Sequence, residues 1–338
     1  MTKYLLATLF VWFGLHTIYA QTYYFDKYSV RDGLAQSKVM SSYQDKNGNL
    51  WLGTTSGVSS FDGRRFINYT MVDGLAEGGV QAIIADSLGN IWFGHTGGAL
   101  SVKIGDKITA VELKGVKIHS DITDLLVDRY QNLWITTESN GVVRLSNLGQ
   151  HLKKATHYTS KEGISDRVFK VTETSKGEIY FIIEGGIKLY DYDTNNFSFF
   201  TLEGLPKYFQ ITELMEDTKG NMWFGTYNGG LYCYEAAQKK IAIYDVRDGL
   251  AHNWITSLAE AEDGAIWVGT FGGGISRIRN KVIKTFNEQN GLADNKIRSV
   301  MPDREGNLVI CTQEHGMLIF KGEQFVHYGA NFQLNSQV

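Results

Sequence analysis

Over most of the chain, apolar side chains fall on every second position in short runs, and polar, glycine-bearing turns separate the runs. "VQAIIAD" (80–86), "ITDLLVD" (122–128) and "ITELMED" (211–217) carry this alternation, which is strand spacing. A turn of the form D-x-x-G-N follows. Its Asp can bond the backbone ahead of it, and its Gly accepts a positive φ. Next comes an aromatic and β-branched segment, "LWLGT" or "IWVGT", then a Gly-bearing turn such as "SGV", "NGG" or "GGG". A third strand reads "VSSFD", "LYCYE" or "ISRIR". A polar turn leads to a fourth, such as "RFINY" (65–69) or "KIAIY" (240–244). "DGLA" at 73–76 and 248–251, or the variant "NGLA", opens the next unit.

Aligned on the aromatic of the second strand, the units fall at Trp51, Trp92, Trp134, Tyr180, Trp223, Trp267 and Val309, at steps of 41, 42, 46, 43, 44 and 42 residues. A period in the low forties with one supersecondary unit per repeat marks a propeller or a helical array. Helical repeats would need apolar spacing of three and four over ten or more residues, which these segments lack. The reading is all-β: a seven-bladed β-propeller of four-stranded antiparallel blades. It spans residues 21–330, with 331–338 as a tail that resembles the start of a further repeat. The recurring Trp suits the contact between blades. The glycines do not form a phosphate loop, because no Lys-Ser or Lys-Thr follows and no helix opens there.

Closure of the ring is left with two candidates. "YYFDKYSV" (23–30) resembles a fourth strand placed before the first repeat, and "QFVHYGA" (324–330) ends the last. Either the N-terminal strand completes blade seven like a clasp, or the C-terminal segment is that blade's own edge.

The first twenty residues stand outside this pattern. "MTKYLLATLFVWFGLHTIYA" has a charge at Lys3, an apolar run from Tyr4 to Leu15, and a small residue at Ala20. This is the pattern of a secretory signal peptide, with an uncleaved anchor as the alternative. Loss of Lys3 would take the formal charge from −3 to −4. Both signs are interspersed, so the chain lacks the basic footprint of a nucleic-acid binder. Export permits disulfides, but Cys233 and Cys311 fall in non-adjacent repeats, so no bond between them is expected.

D-x-x-G-N-[LIM]-W-[LFV]-G-T, followed by G-G and later D-G-L, resembles the two-component regulator propeller repeat. The resemblance runs from residue 22 to about 330, with departures at Gln131, Thr136, Tyr180 and Ile182. It implies a periplasmic sensor region of a hybrid histidine kinase, often for glycans. Candidate partners are then a small-molecule or oligosaccharide ligand, a second copy of the chain, and downstream sensor and kinase domains. The latter would tether the propeller to the inner membrane. No cofactor, metal or catalytic residue is expected for this chain. A lyase of the streptogramin-lyase type, with His315 beside Glu314 or His252 as base, is the enzymatic alternative. A protein-binding platform is the third.

The turns after strands two and four share one face and keep their glycines while varying the residues between. Variable loops on a rigid scaffold suit binding. The ligand-binding candidates on that face are His95, Asn140, Arg167, Tyr227, Asn228, His252, Trp254, Phe271, Asn295 and His315. Thr96, Glu138, Glu184, Asp166, Tyr208, Asn253, Asp294, Gln313 and Glu314 flank them. Aromatics beside amides and carboxylates suit an oligosaccharide. His95, His252 and His315 lack a metal-ligand spacing, so no metal is assigned to them.

Overall fold

In the computed structural model, residues 22–146, 148, 154–205 and 210–322 are described. The leader (1–20), Tyr208, the segment 324–330 and the tail 331–338 therefore lie outside the described residues. Seven four-stranded antiparallel sheets surround one channel. Blade one is Val39–Gln44, Leu50–Thr54, Gly57–Phe61 and Phe66–Tyr69, paired in that order. Five more blades repeat this plan, ending with Val282–Phe286.

Blade seven departs from it. Its three C-terminal strands are Ile297–Pro302, Leu308–Thr312 and Met317–Phe320, and its outer strand is Asp26–Tyr28 from the N-terminus. Asp26 faces Ile319, Lys27 faces Leu318 and Tyr28 faces Met317. The clasp is thus the closure observed. It is reinforced where blade seven meets blade one, by Gln44 Nε2 donating to Glu305 Oε2 at 2.9 Å and by the Arg304 amide donating to Gln44 Oε1 at 2.8 Å.

The D-x-x-G-N turns owe their uniformity to one carboxylate. In blade three, Asp128 Oδ1 accepts the amides of Tyr130 and Asn132, while Oδ2 accepts the Asn132 side chain and the Trp134 indole at 2.7 Å. Asp45, Asp86 and Asp217 repeat the indole bond with Trp51, Trp92 and Trp223. Burial works against the charge on Asp45, but the bonds from Trp51, Asn49 and Asn47 outweigh it and hold the carboxyl below its ordinary value. Gln131 stands where the other turns have Gly and adopts φ 59° itself, so this departure leaves the turn intact.

Each second-strand aromatic packs on the following blade. Trp51 clusters with Val80, Ile83, Ile91 and Phe93, and Trp267 with Ile297, Val300, Leu308 and Ile310. Val309 closes the circle against Val39, Leu50 and Leu52. The glycine two residues after the Trp serves this contact rather than a turn. A Cβ on Gly94 would stand 2.6 Å from Ile122 Cγ2 of the next blade. Cys233 and Cys311 are buried inside different blades, and burial pushes both thiols up to about 12.

All seven first strands carry a β-bulge at their second residue: Met40, Gln81, Thr123, Phe169, Thr212, Thr256 and Arg298. A bulge re-aims side chains locally. Here six of the bulged residues, all but Phe169, line the channel near its loop-rich mouth. One step deeper lies a second ring of Ser41, Ala82, Asp124, Lys170, Glu213, Ser257 and Ser299.

Candidate functional site

The loop-rich mouth is built from two residues per blade. One follows the second strand, and its amide donates to the carbonyl of the other, which precedes the first strand. Tyr227 donates to Gln210, Phe271 to Trp254, Gln313 to Lys296, Glu138 to Asp121, and Glu184 to Arg167. Thr96 donating to Gly79 repeats the bond in blade two, so six blades share it while the side chains change. A threonine fixes five of the loops from below: Thr54, Thr137, Thr226, Thr270 and Thr312 donate to the carbonyls of Gly57, Gly141, Gly230, Gly274 and Gly316.

Three candidates named from the sequence come together here. Trp254 lies between Tyr227 and Phe271, its ring centroid 4.5 Å from each. Tyr227 keeps 48% of its surface exposed, and Trp254 and Phe271 line a channel cavity of about 360 Å³. Arg298, absent from the sequence candidates, lies 5.5 Å from the Phe271 ring centre. Its Nε donates to Gln313 Oε1 at 2.5 Å.

The other candidates have mostly local duties. His95 is a correction. It ends a strand rather than sitting in a loop, and it has no exposed surface. It occupies the position of the loop-fixing threonine, with Nε2 at 2.8 Å from Ser101 Oγ and Nδ1 at 3.1 Å from the Gly79 carbonyl. Burial pulls its pKa down to about 4. It cannot meet a ligand or join His252 and His315, and no group of three metal-capable side chains occurs among the described residues. Asn140 Oδ1 accepts the His119 amide. Asn295 and Glu288 exchange amide-to-side-chain bonds at 3.0 Å. His252 Nδ1 accepts the Trp254 amide at 3.0 Å and so orients the tryptophan. Arg167 bridges Glu138 at 3.6 Å and Glu184 at 3.5 Å across two loops. His315 is exposed, 3.4 Å from the buried Asp294. Asn228 is exposed at a loop tip.

A family model described as the two-component regulator propeller matches residues 33–56, 204–228 and 249–272. These three segments are similar to two-component regulator propeller repeats. The two latter matches include Tyr227, Trp254 and Phe271, so the aromatic rim lies within segments that match the repeat. A stretch of 42 residues is 48% identical to histidine kinase P4 of Formosa agariphila, covering 12% of this chain and 3% of that protein. The extracellular domain of a hybrid two-component system from B. thetaiotaomicron superimposes with TM-score 0.75 at 22% identity, over 88% of this chain and 41% of that one. A streptogramin B lyase superimposes with TM-score 0.69 at 15% identity, over 88% of this chain and 97% of that one. At these identities the structural likenesses establish the fold. The chain spans less than half of the two-component relatives it matches.

Deeper in the propeller, the second channel ring holds Asp124, Lys170 and Glu213 where the remaining blades have Ser or Ala. Lys170 Nζ lies 3.2 Å from Glu213 Oε1, and Asp124 Oδ2 accepts the Val171 amide at 3.2 Å. Both carboxyls act on the one Lys170 ammonium, so ionising both would leave one negative charge unbalanced. Burial pushes Glu213 up to about 7, with Lys170 opposing and Asp124 adding to the rise. Burial also raises Asp124, against the pull of Lys170. Burial lowers Lys170, but Glu213 and Asp124 outweigh it and leave the amine raised. The proton uptake belongs to the cluster. Sequence reading passed over this ring because Asp and Glu inside a strand look like solvent-facing positions. The signal was a charge where aligned repeats place a small residue.

A pH dependence follows. A carboxyl raised in the folded state gives stability that is fully present below the unfolded value of 4.5 and lost as pH rises through about 7. Wild type is therefore expected to lose melting temperature relative to Glu213→Gln across this window, with a constant gap above it. Differential scanning fluorimetry over pH checks this. A gap of opposite slope would mean that the pairing with Lys170 outweighs burial.

Proposed function

We propose that this propeller is an extracellular, ligand-sensing module of a two-component regulator, exported to the periplasm, and that it holds an oligosaccharide at the loop-rich mouth of its channel. The carrying observation is the contiguous Tyr227–Trp254–Phe271 surface. It is half-open to solvent, seated on a rigid strand scaffold, and continuous with a polar cavity. Aromatic faces stack on the apolar faces of sugars, and the cavity's hydroxyl, amide and charged groups suit sugar hydroxyls. The partial matches to regulator repeats and to a histidine kinase support the signalling role. Among the described residues no helix is long and apolar enough to cross a membrane.

The lyase reading rests on the shared fold and on His252, His315 and Glu314. His252 Nδ1 is occupied by the Trp254 amide, and Glu314 is paired with Lys296 at 2.6 Å. That leaves His315, exposed and 3.4 Å from Asp294, as the remaining base candidate of the lyase reading.

Thermal-shift screening against oligosaccharides tests the proposal. A specific rise in melting temperature is expected. Trp254→Ala should weaken binding by about fivefold or more, since stacking on one aromatic face contributes about 1 kcal/mol or more. An undiminished shift in Trp254→Ala would place the ligand elsewhere. Absence of any shift with a broad panel would move the weight to a protein-binding platform.

A further inference from the structure

The rim is chemically polarised around the ring. Blades five and six present Tyr227, Trp254 and Phe271. Blades three and four present Asp121, Glu138 and Glu184, with Arg167 bound between the two glutamates. Blades seven and one present Lys296, Arg298 and Lys38. Lys296 is satisfied by Glu314. Arg298 is not. It is half-buried in the channel wall, and no carboxylate pairs with it among the described residues. Its Nε is held by Gln313 and its charge faces the Phe271 ring. Neither Nη is buried without a partner, so the forked end is open to the cavity. It is also the sole charge among the seven bulged residues (Met40, Gln81, Thr123, Phe169, Thr212 and Thr256 being the others). Burial lowers its pKa, so an anion placed there would relieve an existing cost. A guanidinium fork matches a carboxylate or sulfate in two parallel bonds.

We infer that the ligand of the aromatic mouth is an acidic sugar, whose ring stacks on Trp254 and Phe271 while its carboxylate or sulfate is gripped by Arg298. The inference rests on the mouth being the ligand site, as proposed above. Lys38, which precedes the first strand of the neighbouring blade, extends the same basic sector.

Isothermal titration calorimetry on the purified chain tests it with three probes: trigalacturonate, a sulfated galactose trisaccharide, and neutral galactotriose. An acidic probe is expected to bind at least about tenfold more tightly than the neutral one, the scale of a charge-assisted hydrogen bond. Arg298→Gln should close that gap, and Arg298→Lys should keep part of it, since a point charge lacks the fork. Preference between the two acidic probes identifies the anion. Equal binding of acidic and neutral probes overturns the inference and leaves the aromatic mouth standing. A gap that survives in Arg298→Gln also overturns it, as does failure of both acidic probes to bind. Should Arg298→Gln not fold, wild type alone decides through salt. Acidic-probe affinity must fall with ionic strength while neutral-probe affinity does not, and salt-independent binding of the acidic probe overturns the inference.

Discussion

Asp128→Ala is expected to destabilise the propeller by about 3–4 kcal/mol, because it leaves several buried donors unpaired at once. The residue is 1% exposed. It accepts two backbone amides, the Asn132 side chain, the Trp134 indole, and the Tyr192 hydroxyl at 2.5 Å. Trp134 is itself fully buried and stacked among Tyr158, Phe181 and Tyr190, so its indole cannot turn toward water. The chain carries its own control. In blade seven, Asp303 makes the same turn bonds, but Val309 replaces the indole. Asp303→Ala should cost about half as much or less. Urea unfolding of both variants measures the difference, and a double-mutant cycle of Asp128→Ala with Trp134→Phe isolates the indole bond. Equal losses at Asp128 and Asp303 would mean that the carboxylate acts on the turn alone.

Removing the clasp should have a larger effect, on cooperativity as well as stability. Deletion of residues 22–29 takes away the strand that pairs with Met317–Phe320. It also removes the rings of Phe25, stacked 5.0 Å from Phe320, and of Tyr28, 4.8 Å from Phe61. Lys321 loses its partner Asp26. An apolar strand edge is then exposed between the two ends of the ring, which is a template for association. The truncated chain is expected to aggregate or to unfold over a broad, non-cooperative range. The milder Phe25→Ala, at a side chain 3% exposed, should remain folded with a loss of about 3–4 kcal/mol. Size-exclusion chromatography and urea unfolding check both. A monomeric truncation with an unchanged midpoint would show that blade seven closes by other means.

The mouth was partly legible before the fold was known. Tyr227, Trp254 and Phe271 were recognisable as aromatics in variable loops, because loop identity follows from repeat register. That they form one surface was not readable, since Tyr227 and Phe271 are 44 residues apart in sequence and meet only through neighbouring blades. His95 was misread for a similar reason. Its place in the repeat is a buried anchor held by Thr in five other blades, and a histidine in that place resembles a loop residue. Arg298 was hidden inside an ordinary-looking strand until the bulge turned it into the channel.

Short-range rules were enough for the sequence to determine the blades. Alternation at period two, the Asp-Gly-Asn turn and a spacing in the low forties are each set within one repeat, so they can be read one repeat at a time. The tertiary structure decided what depends on closing the circle. Pairing of Asp26–Tyr28 with Met317–Phe320, gathering of Asp124, Lys170 and Glu213 into one titrating cluster, and placement of an unpaired Arg298 beside an aromatic surface all join segments far apart in the chain. Their proximity is fixed by the angle between blades and by the number that completes the ring, and no local stretch of chain encodes either.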